Sequence, residues 1–267
     1  MCFDMQNIRF GEMESKALFA LEEREAGIIT LGQLAAMLRL THVQAWGLAS
    51  RLVRKHRLIR LKRGTYLFAP MKAGPKGEWS EDALGAVPKL MEGREYYVGF
   101  WAALSHYGLT EQIPLNIQLV TRGQQRHFRA LQTSFEFVQV RRLGEWKMEK
   151  IGAHDVKMAT VEQLILDCLS MPEKCGGVKM ACQAIWTAQE KVDWKKLETL
   201  ASKSNDAVRR RLGYVCELLN VRKMKPGRLA GWRWLDPSAK KQALAKSEKW
   251  GLVLNVGAEQ LMEWRET

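Results

Sequence analysis

Between Thr30 and Phe68 two capped helical patterns and one hairpin pattern follow each other with almost no connecting residues. After Thr30, a plausible N-cap, Leu31, Leu34, Ala35 and Leu38 recur at i, i+3, i+4 and i+7, the stripe of an amphipathic helix. Arg39-Leu40 is a short turn, and Thr41 caps a further helix running to about His56. Leu58 to Lys62 then reads as a strand, Arg63-Gly64 as a tight turn in which glycine supplies a positive φ, and Thr65 to Phe68 as the returning strand. Met13 to Glu25 is an earlier helix with Ala17, Leu18 and Leu21 on one side, followed by Gly27 and a short buried link, Ile28-Ile29. Helix, helix, tight turn, helix and basic hairpin make the pattern of a winged helix-turn-helix.

The charge of this stretch points the same way. From Ala26 to Gly77 there is no Asp or Glu, while Arg39, Arg51, Arg54, Lys55, Arg57, Arg60, Lys62, Arg63, Lys72 and Lys76 all fall inside it. The chain has 267 residues and a net charge of +13, and residues 1–77 hold 13 Lys/Arg against 6 Asp/Glu, or +7. Less than a third of the chain thus carries over half of the excess. A long segment of one sign departs from the mixed surface of an ordinary soluble domain and suits a polyanion such as the phosphate backbone of nucleic acid.

Taking about 100° per residue, Ala45, Leu48, Ala49 and Leu52 form the core face of the third helix, with His42 and Val53 at its border and His56 marginal. Val43, Gln44, Gly47, Ser50, Arg51 and Arg54 lie opposite and are the candidates for reading bases. Gln can bond the adenine edge in two places, Arg the guanine edge, and Val can meet a thymine methyl. Gly47 weakens a helix, and permits either close approach to a groove or close packing of another helix. Lys55, Arg60, Lys62 and Arg63 suit phosphate, which positions a protein without reading sequence. Trp46 falls between the faces and reads as core edge.

Other features exclude rather than assign. The five cysteines, Cys2, Cys168, Cys175, Cys182 and Cys216, are odd in number and contain no CxxC, which fits a reducing, cytoplasmic setting. The even spacing of Cys168, Cys175 and Cys182 does not suit one metal ion, because seven helical residues span about 10 Å. We expect structural cysteines, no metal and no cofactor. No apolar run approaches the roughly 20 residues of a membrane span, and residues 1–11 lack a signal pattern.

Ala69 to Gly77, with two Pro and two Gly, reads as a connection between a DNA-binding domain at 1–77 and a second domain at 78–267. The second is mixed α/β. Strands are expected at 96–98, 117–120, 135–140 and 146–151, and helices at 82–91 (interrupted by Pro88), 100–107, 160–169, 178–188, 194–201 and 207–219. Thr160 and Gln163 form a capping-box pair. The fold class is therefore α+β, an N-terminal winged helix-turn-helix followed by a mixed α/β C-terminal domain.

The run from Tyr96 to Thr110 (YYVGFWAALSHYGLT), with Arg60 to Tyr66, Ala159 to Leu169 and Arg209 to Tyr214, resembles the AbiEi antitoxins of abortive-infection toxin–antitoxin systems, a form of phage defence. The resemblance runs from about residue 15 to 220. It implies a non-enzymatic DNA-binding antitoxin that represses its own operon at inverted repeats in double-stranded DNA and counteracts a nucleotidyltransferase-like toxin. The alternative from the residues alone is a free-standing regulator whose second domain senses a small ligand.

Catalytic motifs are scarce: there is no GxGxxG, P-loop, HExxH or GxSxG. Asp155-Val156-Lys157 has the D-x-K form of some metal nucleases, with Glu136 or Glu145 as a possible upstream carboxylate, but such tripeptides arise often by chance. A second basic stretch is more distinctive. Arg209, Arg210, Arg211, Arg222, Lys223, Lys225 and Arg228 lead into Arg233, Lys240 and Lys241, interleaved with Trp232 and Trp234. Cations among aromatics suit single-stranded nucleic acid or an acidic protein partner, and more readily a solvated face over two packed tryptophans.

Overall fold

The computed structural model describes residues 9–24, 27–71, 83–91, 93–130, 133–152 and 154–265. Most of the expected connection at 69–77, together with Cys2, lies outside these residues. The chain is mixed α/β and divides into two compact units. One comprises Met1–Arg94, His127–Ser134 and Ile151–His154, the other Glu95–Arg126, Phe135–Lys150 and Asp155–Thr267.

The first unit opens with α1 (Glu12–Glu23), β1 (Ile28–Thr30), α2 (Leu31–Leu38) and α3 (His42–Arg54). β2 (Leu58–Lys62), β3 (Thr65–Phe68) and the short α4 (Val87–Leu90) follow. Both expected threonine caps form. Thr30 and Thr41 each accept from the backbone N–H three residues on, while Gln33 and Gln44 reach back to the cap N–H, so each pair closes a full capping box. The buried link at Ile28-Ile29 is itself a strand: β1 pairs antiparallel with β3, giving the order β1-β3-β2. Gly64 sits at φ +71, as the two-residue turn needs, and its carbonyl accepts from Leu31 N–H at 2.8 Å. Leu21, Leu34, Leu48, Leu52, Leu58 and Phe68 close the core beneath the helices. Pro88 does not interrupt a helix; it lies in the first turn of α4, where its missing N–H costs nothing.

The remaining strands are β4 (Tyr96–Gly99), β5 (Asn116–Thr121), β6 (Phe128–Ala130), β7 (Thr133–Gln139), β8 (Trp146–Ile151) and β9 (His154–Ala159). They form one sheet in the order β6-β7-β5-β4-β9-β8, with β4 antiparallel to β5 and parallel to β9. The second unit holds α5 (Phe100–His106), α6 (Val161–Ser170), α7 (Val178–Ala188), α8 (Trp194–Lys203) and α9 (Asp206–Leu219). After these come β10 (Arg233–Trp234), β11 (Ala245–Ser247), β12 (Leu252–Leu254) and α10 (Ala258–Met262), with a second small sheet in the order β10-β12-β11.

α6 is the helix the second unit packs around. It touches α5, α7, α8 and α9, and Leu164 to Leu169 are all buried. A helix apolar on every side belongs in an interior. Of its two buried acids, Glu162 and Asp167, the second accepts from Tyr97 Oη at 2.9 Å and from Gln163 Nε2 at 2.8 Å. Burial pushes this carboxyl up to about 7, against the lowering effect of those two bonds. The expected capping box at Thr160 forms only by half. Thr160 Oγ1 accepts from Gln163 N–H, but the Gln163 side chain turns to Asp167 and to the Glu145 N–H instead. Gly144 makes that turn possible: a Cβ there would stand 2.1 Å from the Gln163 carboxamide. Cys168, Cys175, Cys182 and Cys216 are all buried free thiols, and burial pushes Cys182 and Cys216 up to about 12.

Candidate nucleic-acid interface

Helix α3 buries Ala45, Leu48, Ala49 and Leu52 as its periodicity requires. The opposite side carries Val43, 77% exposed, with Gly47, Ser50, Arg51 and Arg54. A Cβ on Gly47 would meet only the Arg51 guanidinium, at 3.6 Å. Among the described residues no second helix packs there, so close helix packing does not account for this glycine. Trp46 departs from expectation. It is 59% exposed and stands one turn from Val43, so it belongs to this open face and not to the core edge. Its angular position between the two faces suggests the core edge; among the described residues no neighbouring element covers it. His42 and His56 are also exposed.

Two of the candidate residues are partly occupied. Gln44 Oε1 accepts from both Thr41 N–H (2.9 Å) and Thr41 Oγ1 (3.0 Å). A two-point contact with adenine needs that oxygen as well as the amide nitrogen, so only the amide donor is free without opening the cap. Ser50 Oγ donates to the Trp46 carbonyl at 2.8 Å and keeps its capacity to accept.

The carboxylate that answers α3 comes from outside the acid-free segment. Glu14 of α1, nearly buried, lies 3.2 Å from Arg51 Nε and 2.5 Å from Lys55 Nζ, and also accepts from Gly11 N–H. Burial pushes the Glu14 carboxyl up, but the bonds from Lys55, the Gly11 amide and Arg51 outweigh it and hold it below its ordinary value. Lys55 also donates to the Arg9 carbonyl at 2.6 Å. Glu22 of the same helix accepts from Met71 N–H. Arg57 is buried, with Nη1 donating to the Pro70 carbonyl. Arg54, Arg60 and Arg63 are exposed, without a carboxylate partner among the described residues. The Lys62 backbone belongs to β2; its side chain lies outside the description.

Residues 16–69 match the sequence family described as transcriptional regulator, AbiEi antitoxin. The AbiEi antitoxin match begins within α1, at Lys16, and runs through β3, so it contains both threonine capping boxes, the exposed face of α3 and the hairpin. No curated protein matches the chain in sequence. In fold, the chain is similar to the crystal structure of the RV2827C protein from Mycobacterium tuberculosis, with a TM-score of 0.68 over 97% of this chain and 96% of that one at 14% identity. That likeness concerns the fold alone.

The second basic stretch is rearranged by the structure. Arg210 is 1% exposed; it pairs with Asp206 at 2.6 Å and donates to the carbonyls of Ala230, Gly231 and Gly251. Arg211 is buried too, donating to the carbonyls of Leu169 and Trp234. These two are therefore internal struts and not part of an exposed surface, because their forked donors are spent on backbone oxygens of the same unit. Arg209 pairs with Asp206, and Arg222 with Glu198. Lys223, Lys225 and Arg228 stay exposed.

The residues of the D-x-K pattern also have partners. Asp155 is exposed and lies 3.7 Å from Lys150, and Lys157 stands over the rings of Trp146 (4.8 Å) and Tyr96 (5.6 Å). Glu136 accepts from Asn116 and Glu145 pairs with Lys196. No group of three or more His, Cys, Asp or Glu gathers around a possible ion among the described residues. No described helix is long and apolar enough to cross a membrane.

Proposed function

We propose that the chain is a cytoplasmic, non-enzymatic antitoxin that binds double-stranded operator DNA through a winged helix-turn-helix in residues 1–77. Residues 78–267 counteract a nucleotidyltransferase-like toxin. The observation that carries this reading is a coincidence of position: the AbiEi antitoxin match at 16–69 falls on the segment whose longest helix presents an open, acid-free face. In this reading α3 enters the major groove with Val43, Arg51 and Arg54 toward base edges and Gln44 as a single donor. Trp46 joins them as an apolar contact, and Gly47 lets the helix approach. Lys55, Arg60, Lys62 and Arg63 hold phosphates on either side. Glu14 restrains Arg51 and Lys55 until DNA competes for them.

Two assays on the full chain separate the two halves of this proposal. A reporter driven by the DNA upstream of the gene should be repressed by the wild-type chain and released by R51A/R54A. Co-expression with the toxin encoded beside it should restore growth, and should still do so with R51A/R54A. Repression indifferent to the double substitution would remove the DNA assignment, and failure to rescue any neighbouring toxin would remove the antitoxin assignment.

A further inference from the structure

Residues 221–247 contain eight Lys or Arg and one acid, Asp236. That acid is spent internally: it is 4% exposed and accepts from Val178 N–H, Ser238 N–H and Ser238 Oγ. Apart from Arg222, which pairs with Glu198, the cations of this stretch, Lys223, Lys225 and Arg228 among them, have no carboxylate partner among the described residues.

The same stretch builds the small sheet. Trp234, Val253 and Lys246 are cross-strand neighbours, since Trp234 pairs with Val253 and Val253 with Lys246. Paired residues share a face, so this side of the sheet is aromatic and basic, while Leu235 and Leu252 point to the opposite, buried side. Trp232, two residues before Trp234, is 44% exposed, and Lys246 Nζ lies 5.2 Å from its ring centroid. The chain on both sides of this tryptophan is pinned from below. Arg210 holds the Ala230 and Gly231 carbonyls, and Arg211 holds the Trp234 carbonyl. A large aromatic on a fixed backbone loses little freedom when a ligand stacks on it.

We propose that this face is a second nucleic-acid site, for single-stranded polynucleotide: a base stacks on Trp232 while Lys225, Arg228 and Lys246 hold the flanking phosphates. It is separate from the duplex site assigned to α3 and does not depend on it. A single strand fits better than a duplex because stacking on a side chain needs an unpaired base with an open face. Charge alone would also attract an acidic protein; the exposed Trp232 ring beside Lys246, on a pinned strand, favours a partner that stacks.

The test measures the anisotropy of fluorescent 12-nucleotide oligo(dT) and oligo(U) with the full chain, across a salt series. Both strands should bind, and their relative affinity says whether deoxyribose or ribose is preferred. W232A should weaken binding by about fivefold or more and W232F should recover most of it, as stacking requires. K225A/R228A should make the log–log salt slope shallower by about 1.4. R54A should leave single-strand binding unchanged. Thermal unfolding of each variant checks that the fold survives. The proposal is overturned if neither strand binds, if W232A binds as the wild type does, or if R54A abolishes single-strand binding.

Discussion

Glu14 Oε2 and Lys55 Nζ stand 2.5 Å apart, joining the first helix to the end of the third. With Arg51 at 3.2 Å, one carboxylate answers two of the cations on α3. The acid-free segment is therefore partly neutralised from α1. E14Q should free both cations. We expect tighter, more salt-dependent duplex binding in an anisotropy titration, together with a loss of stability of about 1–3 kcal/mol by urea unfolding.

The same carboxylate gives a pH signature. Its folded value is depressed, so its contribution is present above the unfolded carboxyl value of about 4.5 and is lost as pH falls through the folded one. Wild-type stability should therefore drop on acidification below about pH 5 more steeply than that of E14Q. Parallel urea midpoints for the two proteins over that range would contradict the ion-pair account.

Asp167 carries the opposite sign. Burial raises its folded value to about 7, so the folded state binds the proton more tightly than the unfolded chain, and stability declines as pH rises from about 4 toward 7. One such group gives a slope of up to about 1.4 kcal/mol per pH unit. D167N keeps an oxygen for Tyr97 and should flatten this decline. Urea unfolding of both proteins between pH 5 and 8 measures it.

Removing the threonine cap of α3 should have a local effect. T41A loses the acceptor for the Gln44 N–H and should cost about 1 kcal/mol. It also releases the Gln44 oxygen. If Gln44 meets DNA, T41A should alter sequence preference at that position, read by competition among operator variants.

Arg210 is the strut of the C-terminal sheet. R210A should destabilise the second unit by about 3–5 kcal/mol, since Asp206 keeps only Arg209 and the carbonyls of Ala230, Gly231 and Gly251 each lose a donor. R210K should recover little, because a single ammonium cannot reproduce the fork. Limited proteolysis should cut first between 226 and 240.

These particulars show which features a linear reading reaches. Thr30, Thr41 and the Arg63-Gly64 turn were legible because caps and turns are decided within four residues. β1 was not, since three residues show no period and its partner β3 lies over thirty residues on. β9 was read only as a D-x-K tripeptide, although Val156 between its two charged residues is fully buried, the alternation of a half-exposed strand. The run Arg209-Arg210-Arg211 looked like a surface because arginine usually is one. Burial of two of them depends on carbonyls that come from far along the chain. In α3 the periodicity found the open face, but the Glu14 tether and the exposure of Trp46 are tertiary facts.

The central claim is that the open face of α3 binds the operator. Anisotropy titration of the full-length chain and R51A/R54A with the duplex upstream of the gene, over a range of salt, tests it directly. The account predicts at least a tenfold loss of affinity and a shallower salt slope in the double variant. Equal affinity and equal slope for the two proteins would contradict it.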